Sequence, residues 1–437
     1  MRAALVVAVL IAALTVGVVL VAWMHGETTP SPTAPQSVAA APVAEIANAP
    51  EVVAITASEP VASSRPEAVA DQVEVCEDFW VAADADGKPN QKAFDAKANR
   101  ALRDALVAAR AALSASASPR DQAAVAFLDA RDKTQRDACR DSSCARDVDP
   151  LNIPIDAGAL DRLTQAAQVT DDAQIYAWAY AACRFAARTP ACLPIQAAQW
   201  ARIDPGNAVP WLALAEEARQ RKDAPGEADA MFHVGAADRY QAHFGALTAA
   251  IIDRVPGGEA NTVGGFGAAV YVIGIEAATQ PGWSAAISYC GAKELADANR
   301  SELCERIAVV LAEHADTALG RGMGLSLAKR LGWSTERLRP LTERIDAESG
   351  LAVAAAPPPA LSGVESCRPL QVQFEQVRDL GRYGELAARE RAIEASGLTL
   401  SQLGARYRQW LAAARLQAER EAAASAPAVG TAASASR

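Results

Sequence analysis

Histidine is nearly missing from this chain: four occur in 437 residues, at His25, His233, His243 and His314. A Ser/His/Asp triad would have to be assembled from these few imidazoles, and no Gly-x-Ser-x-Gly nucleophile elbow is written anywhere. Glu313-His314-Ala315-Asp316 lacks the second histidine of a His-Glu-x-x-His zinc helix. Asp229 and His233 stand four apart on one helix face but have no third ligand, so they read as a solvated pair. Cys-x-x-Cys is also absent, which excludes a zinc knuckle, a thioredoxin-type redox motif and a haem attachment site. No metal and no cofactor is expected. Basic blocks are missing too: 42 Lys and Arg face 52 Asp and Glu, a formal charge of -10, so no face can neutralise nucleic-acid phosphate. Aromatics make up 5% and Val/Ile/Thr alternation over strand lengths is scarce, which leaves little to build a sheet from.

What the chain does have begins at its start. Ala3 to Met24 is an uncharged apolar run of 22 residues. As a helix it is roughly 33 Å long, enough to span a hydrocarbon core of about 30 Å. Trp23 and Met24 spoil a small-x-small cleavage site, so an uncleaved anchor is expected, the alternative being secretion after cleavage. Arg2 precedes the run, whereas residues 27 to 64 hold four glutamates and no Lys or Arg. The positive-inside rule then leaves the N-terminus in the cytoplasm and exports the bulk, in a bacterium to the periplasm.

Eight cysteines suit that compartment. Six lie at short separations, Cys139 with Cys144, Cys183 with Cys192 and Cys290 with Cys304, and the remaining Cys76 and Cys367 are predicted to bridge the start of the folded region to its C-terminal part. Spacing leaves 105 connectivities formally open for eight cysteines.

Composition divides the chain into an anchor (1–26), a Pro/Ala-rich linker (27–70), a helical domain (71–351), a Pro-rich break (352–364), a C-terminal helical hairpin (365–421) and an Ala/Ser tail (422–437). The expected fold class is all-α, stacked helical hairpins behind the anchor and linker. Helices are predicted near 91–115, 119–146, 157–168, 171–187, 194–203, 208–222, 225–240, 242–254, 265–279, 283–295, 298–315, 318–332, 335–350, 369–395 and 400–421. Ser118-Pro119 marks one start, and Thr399 with Gln402 forms a capping box at another. Leu400, Leu403, Tyr407, Trp410 and Ala414 make a stripe expected to bury against the helix ending near Ala395.

Asp204-Pro205-Gly206-Asn207-Ala208-Val209-Pro210-Trp211-Leu212-Ala213-Leu214-Ala215 resembles the start of a tetratricopeptide repeat. Pro205, Trp211, Leu214 and Ala215 keep that family's spacings, and Ala228, Phe232 and Gly235 follow in the second helix after a one-residue insertion. The preceding hairpin, 171 to 203, has the right length, with Trp178 one place out of phase. The resemblance covers about residues 171–240 and implies packing roles for the matched positions. Such hairpins cannot bury their apolar faces alone, and as stacks they present surfaces that bind peptides or proteins.

Other candidates are weaker. Gly320-Arg321-Gly322-Met323-Gly324 and Gly264-Gly265-Phe266-Gly267 lack the remaining residues of dinucleotide and phosphate loops, and Asp84-Ala85-Asp86-Gly87 lacks the twelfth-position Glu of a calcium loop. Glu348-Ser349 runs into Gly350-Leu351 and not into the residues that follow the catalytic Glu-Ser of lytic transglycosylases. The function expected is therefore a membrane-anchored envelope protein, held by residues 3–24, whose exported helices bind a protein or peptide partner. Tyr176, Trp178 and Trp211 are the candidate contact residues. The alternatives are an envelope enzyme acting on cell-wall polymer or peptide, with acidic residues in a groove, and a structural spacer.

Overall fold

The computed structural model describes residues 72–76, 79–138, 156–184, 189–255, 262–279, 284–355 and 368–425. Residues 3–24, the linker, both Cys139 and Cys144, Cys367 and the Pro-rich break lie outside the described residues, so the readings made of them stand as expectations. Among the described residues no helix is long and apolar enough to cross a membrane.

The described chain is all-α apart from one short antiparallel hairpin, β1 (Gln72–Cys76) with β2 (Phe79–Ala82), in register Val73 to Val81 and Glu74 to Trp80. It is the one sheet among the described residues. Two strands alone are marginal in water. Here Phe79 and Val81 bury against Val263, Phe94 and Ala98, and the Lys97 ammonium holds the Trp80 carbonyl at 2.7 Å.

Sixteen α-helices follow among the described residues. They are α1 (Gln91–Ser114), α2 (Pro119–Ala138), α3 (Ala157–Gln168), α4 (Ala173–Arg184), α5 (Ala197–Ile203), α6 (Ala208–Gln220), α7 (Ala224–Ala236) and α8 (Ala246–Ile252). After these come α9 (Thr262–Thr279), α10 (Ser284–Tyr289), α11 (Ala298–His314), α12 (Ala318–Arg330), α13 (Thr335–Ala355), α14 (Arg368–Tyr383), α15 (Glu385–Ala395) and α16 (Leu400–Ser425). Their starts carry the expected chemistry. Asn90, Asp156, Asn207, Asp223, Asp297 and Thr317 each cap with a side-chain oxygen. The box at Thr399 closes both ways, Thr399 N–H to Gln402 Oε1 at 2.9 Å and Gln402 N–H to Thr399 Oγ1 at 3.2 Å.

Helices pack side by side along one row: sequence neighbours α2 on α3, α3 on α4, α5 on α6, α6 on α7 and α11 on α12, and the more distant pairs α7 on α11 and α13 on α16. A second group, α1, α8, α9 and α14, packs together against this row, and α15 links α14 to α13. One continuous core runs through both groups, from Leu106 of α1 and Phe127 of α2 through Ile251 of α8 and Val272 of α9 to Ile307 of α11 and Trp333. It is rich in alanine, so helices approach closely and each buried Leu or Ile contributes about 2 kcal/mol.

Three departures from the expected helices have local causes. The helix expected at 369–395 breaks at Gly384, whose φ of 85° no helix tolerates. The one expected from 242 starts only at Ala246, because His243 (φ 55°) and Gly245 (φ 92°) turn left-handed. The apolar stripe of α16 packs chiefly on α13, and Ile393 of α15 joins the same small cluster: Leu403 is fully buried beside Ala347, while Trp410 stays 37% exposed.

Candidate binding face and buried carboxylates

The three aromatic residues singled out in the sequence occupy different environments. Tyr176 is fully buried in α4, its hydroxyl accepting from the Gln196 N–H at 3.0 Å and donating to the Gln196 carbonyl at 3.1 Å. Trp178 is buried as well and stacks on Phe127 with ring centroids 6.3 Å apart. Neither has a surface to offer a partner, which corrects the reading of them as contact residues; their apolar area is spent on the core. Trp211 is only half-buried. Its indole N–H donates to the Pro205 carbonyl at 2.9 Å, and its ring lies on the His233 imidazole at 4.0 Å.

Beside that stack stands a residue whose exposure was not foreseen. Phe232, which the repeat spacing predicts to pack, is 52% exposed on α7. It meets His233 edge-on at 5.7 Å and carries the Arg306 guanidinium of α11 at 5.7 Å from its ring centre. The reason lies three residues further along the helix. Gly235 faces Leu303, so α7 and α11 meet there and leave Phe232 at the edge of their contact. Trp211, His233, Phe232 and Arg306 thus form a continuous aromatic and cationic step on the surface of α6, α7 and α11.

Two of the expected disulfides are in place. Cys183 bonds Cys192, closing the turn between α4 and α5, and Cys290 bonds Cys304, tying the segment after α10 to α11. Cys76 ends β1, but its side chain and the whole of Cys367 lie outside the described residues, as does the pair Cys139 and Cys144.

Two buried carboxylates, Glu276 and Glu348, and two half-buried ones, Asp316 and Glu385, are each engaged by the fold. Glu276 on α9 accepts the N–H of Leu247 at 2.9 Å and of Thr248 at 3.2 Å, together with the Thr248 hydroxyl, and so caps α8 from another helix. Desolvation outweighs those bonds and pushes its carboxyl up to about 7. Asp316 accepts the Ala242 N–H on both oxygens, at 3.0 and 3.1 Å, and burial raises it to about 6. Glu348, 2% exposed, is ion-paired with Arg321, and its carboxyl too is raised by burial. Glu385 accepts the Ala318 N–H at 3.0 Å and pairs with Arg389 at 2.6 Å. An acid on a water or a glycosidic oxygen needs a free lone pair directed into a cleft. These oxygens point instead at backbone N–H groups and guanidinium groups.

The remaining motifs are local structure. Gly320 to Gly324 lies within α12 and Gly264 to Gly267 within α9, while Asp84 to Gly87 forms a turn closed by the Gly87 N–H on the Asp84 carbonyl at 2.9 Å. Among the described residues no three His, Cys, Asp or Glu side chains come together to hold a metal ion. No protein-family model, no curated protein and no solved structure matches the chain.

Proposed function

We propose that this chain is a membrane-anchored envelope protein whose exported helical body binds a protein or peptide partner on the face formed by α6, α7 and α11. The observation that carries this reading is Phe232. A phenyl ring half open to water, with Trp211 and His233 on one side and Arg306 on the other, matches the aromatic and arginine make-up of contact hot spots. It sits in the region that resembles a tetratricopeptide repeat, where paired helices present binding surfaces. The Cys183–Cys192 and Cys290–Cys304 bonds support an oxidising compartment, and the apolar run at 3–24 supplies the tether to a bilayer.

The test is comparative purification of the full-length wild type and Phe232→Glu from membranes. Because the ring is exposed, the variant keeps its fold, as circular dichroism and melting would check. Loss of a reproducibly co-purified protein in the variant supports the reading. Identical co-purification from both, with the fold intact, refutes this face as the site.

A further inference from the structure

α16 is 26 residues long and seats one side on α13. Leu403 and Gly404, both buried, mark that side. The opposite arc is open along its length: Arg406, Gln409, Trp410, Ala413, Leu416 and Arg420 recur at spacings of three and four, and all are exposed. The two large apolar side chains on it, Trp410 and Leu416, are 37% and 54% exposed. Its charge has one sign. Residues 395–418 hold arginine at 406, 408 and 415 and contain no Asp or Glu. Arg408 is taken by Asp346 of α13, whereas Arg406 and Arg420 make no ion pair among the described residues. Glu419 is the nearest acid along the helix and flanks the arc beside Leu416.

We propose that this arc of α16 lies on the surface of an anionic phospholipid bilayer, with Arg406 and Arg420 on lipid phosphates and Trp410 and Leu416 in the headgroup layer. The proposal rests on the anchored reading above, because a chain held by residues 3–24 is never far from a leaflet. Helices that lie in the interface carry Trp and Leu beside basic residues, as this arc does. Indole rings favour the boundary between water and lipid, and a guanidinium pairs with phosphate through two parallel N–H donors. The two arginines stand seven residues either side of Ala413. They are about 21 Å apart along the axis and straddle the two apolar side chains. That symmetry argues against a second copy as the occupant, since pairing two such arcs about Ala413 sets arginine against arginine in either orientation. Two arginines, one indole and one leucine bind a bilayer weakly on their own. The tether supplies the rest, because it makes the second contact intramolecular and raises its effective concentration.

The experiment places the full-length chain in lipid nanodiscs, with a fluorescent amino acid at position 416 and bromine-labelled acyl chains as the quencher. Position 107, exposed on α1, is the control. Circular dichroism checks that each labelled chain keeps its helices. The proposal predicts quenching at 416 and none at 107 in discs that contain phosphatidylglycerol. It predicts loss of that quenching in discs of phosphatidylcholine alone, in molar salt, where the field reaches only about 3 Å, and in the double variant Arg406→Gln/Arg420→Gln. Equal signals from 416 and 107 in the anionic discs, the result if a second copy or an acidic protein covers the arc, overturn it. Quenching at 416 that ignores lipid charge overturns it too. Failure of the anchored reading shows separately, as chain that does not stay with the discs. The same probe is then read on that chain with phosphatidylglycerol vesicles, where quenching at 416 upholds the bilayer contact and its absence overturns it.

Discussion

Gly350→Ala is the substitution on which helix propensity and packing disagree outright. Gly350 lies inside α13, where exchanging glycine for alanine is worth about 1 kcal/mol of added stability on propensity alone. Yet a Cβ there would lie 2.0 Å from the Leu403 carbonyl oxygen and 2.6 Å from its carbon, both backbone atoms of α16 that cannot rotate away. The helix must move off. Overpacking of this kind costs about 1 to 3 kcal/mol, and uncovering the fully buried Leu403 costs about 2 more. The Arg408 to Asp346 pair at 2.7 Å is more than half exposed on its arginine side and adds little. The net expectation is a loss of about 2 to 4 kcal/mol, read by urea unfolding, together with faster tryptic cleavage at Arg406, Arg408 and Arg415. Gly274→Ala in α9 is the internal control. Nothing lies within 4 Å of the Cβ it would add, so it should gain about 1 kcal/mol. If Gly350→Ala matches or exceeds the wild type in stability, α16 does not seat on α13 as described.

Four further outcomes follow from the same contacts. Trp178→Ala should cost about 3 to 5 kcal/mol because the ring is buried in the core, whereas Phe232→Ala should change the unfolding free energy read from urea by less than about 0.5 kcal/mol. Reducing Cys290–Cys304, which closes a separation of 14 residues, should remove about 3 kcal/mol and lower the melting temperature in dithiothreitol. His243 is held neutral by burial, so its contribution is present above its ordinary range and disappears as pH falls below it. His243→Asn, which tolerates the left-handed backbone and carries no proton, should flatten the acid side of a stability-versus-pH curve.

Most of the helices were legible because an amphipathic period of three to four residues survives in any context. Thr399 with Gln402 announced a helix start in the sequence, and its side chain caps that helix as expected. The β1–β2 hairpin was missed for the converse reason. Val73, Phe79 and Val81 alternate over only five and four residues, too short a stretch to register beside the low-complexity linker. The chief partner of α16, α13, was missed because its stripe says that it buries, not against which helix. Glu276 was invisible as a cap, since it reaches Leu247 and Thr248 across 29 and 28 residues. Phe232 was assigned to packing by repeat spacing. Its exposure depends on where α11 arrives after an insertion of about 60 residues, which no local pattern encodes.

The most direct test of a partner-binding face is photo-crosslinking in living cells, with a photoreactive phenylalanine placed at position 232 and, as a control on a distant exposed site, at Val107 of α1. The account predicts one or two discrete crosslinked envelope proteins from position 232 and none of them from position 107. The same products from both positions, or only monomer at 232, would contradict it.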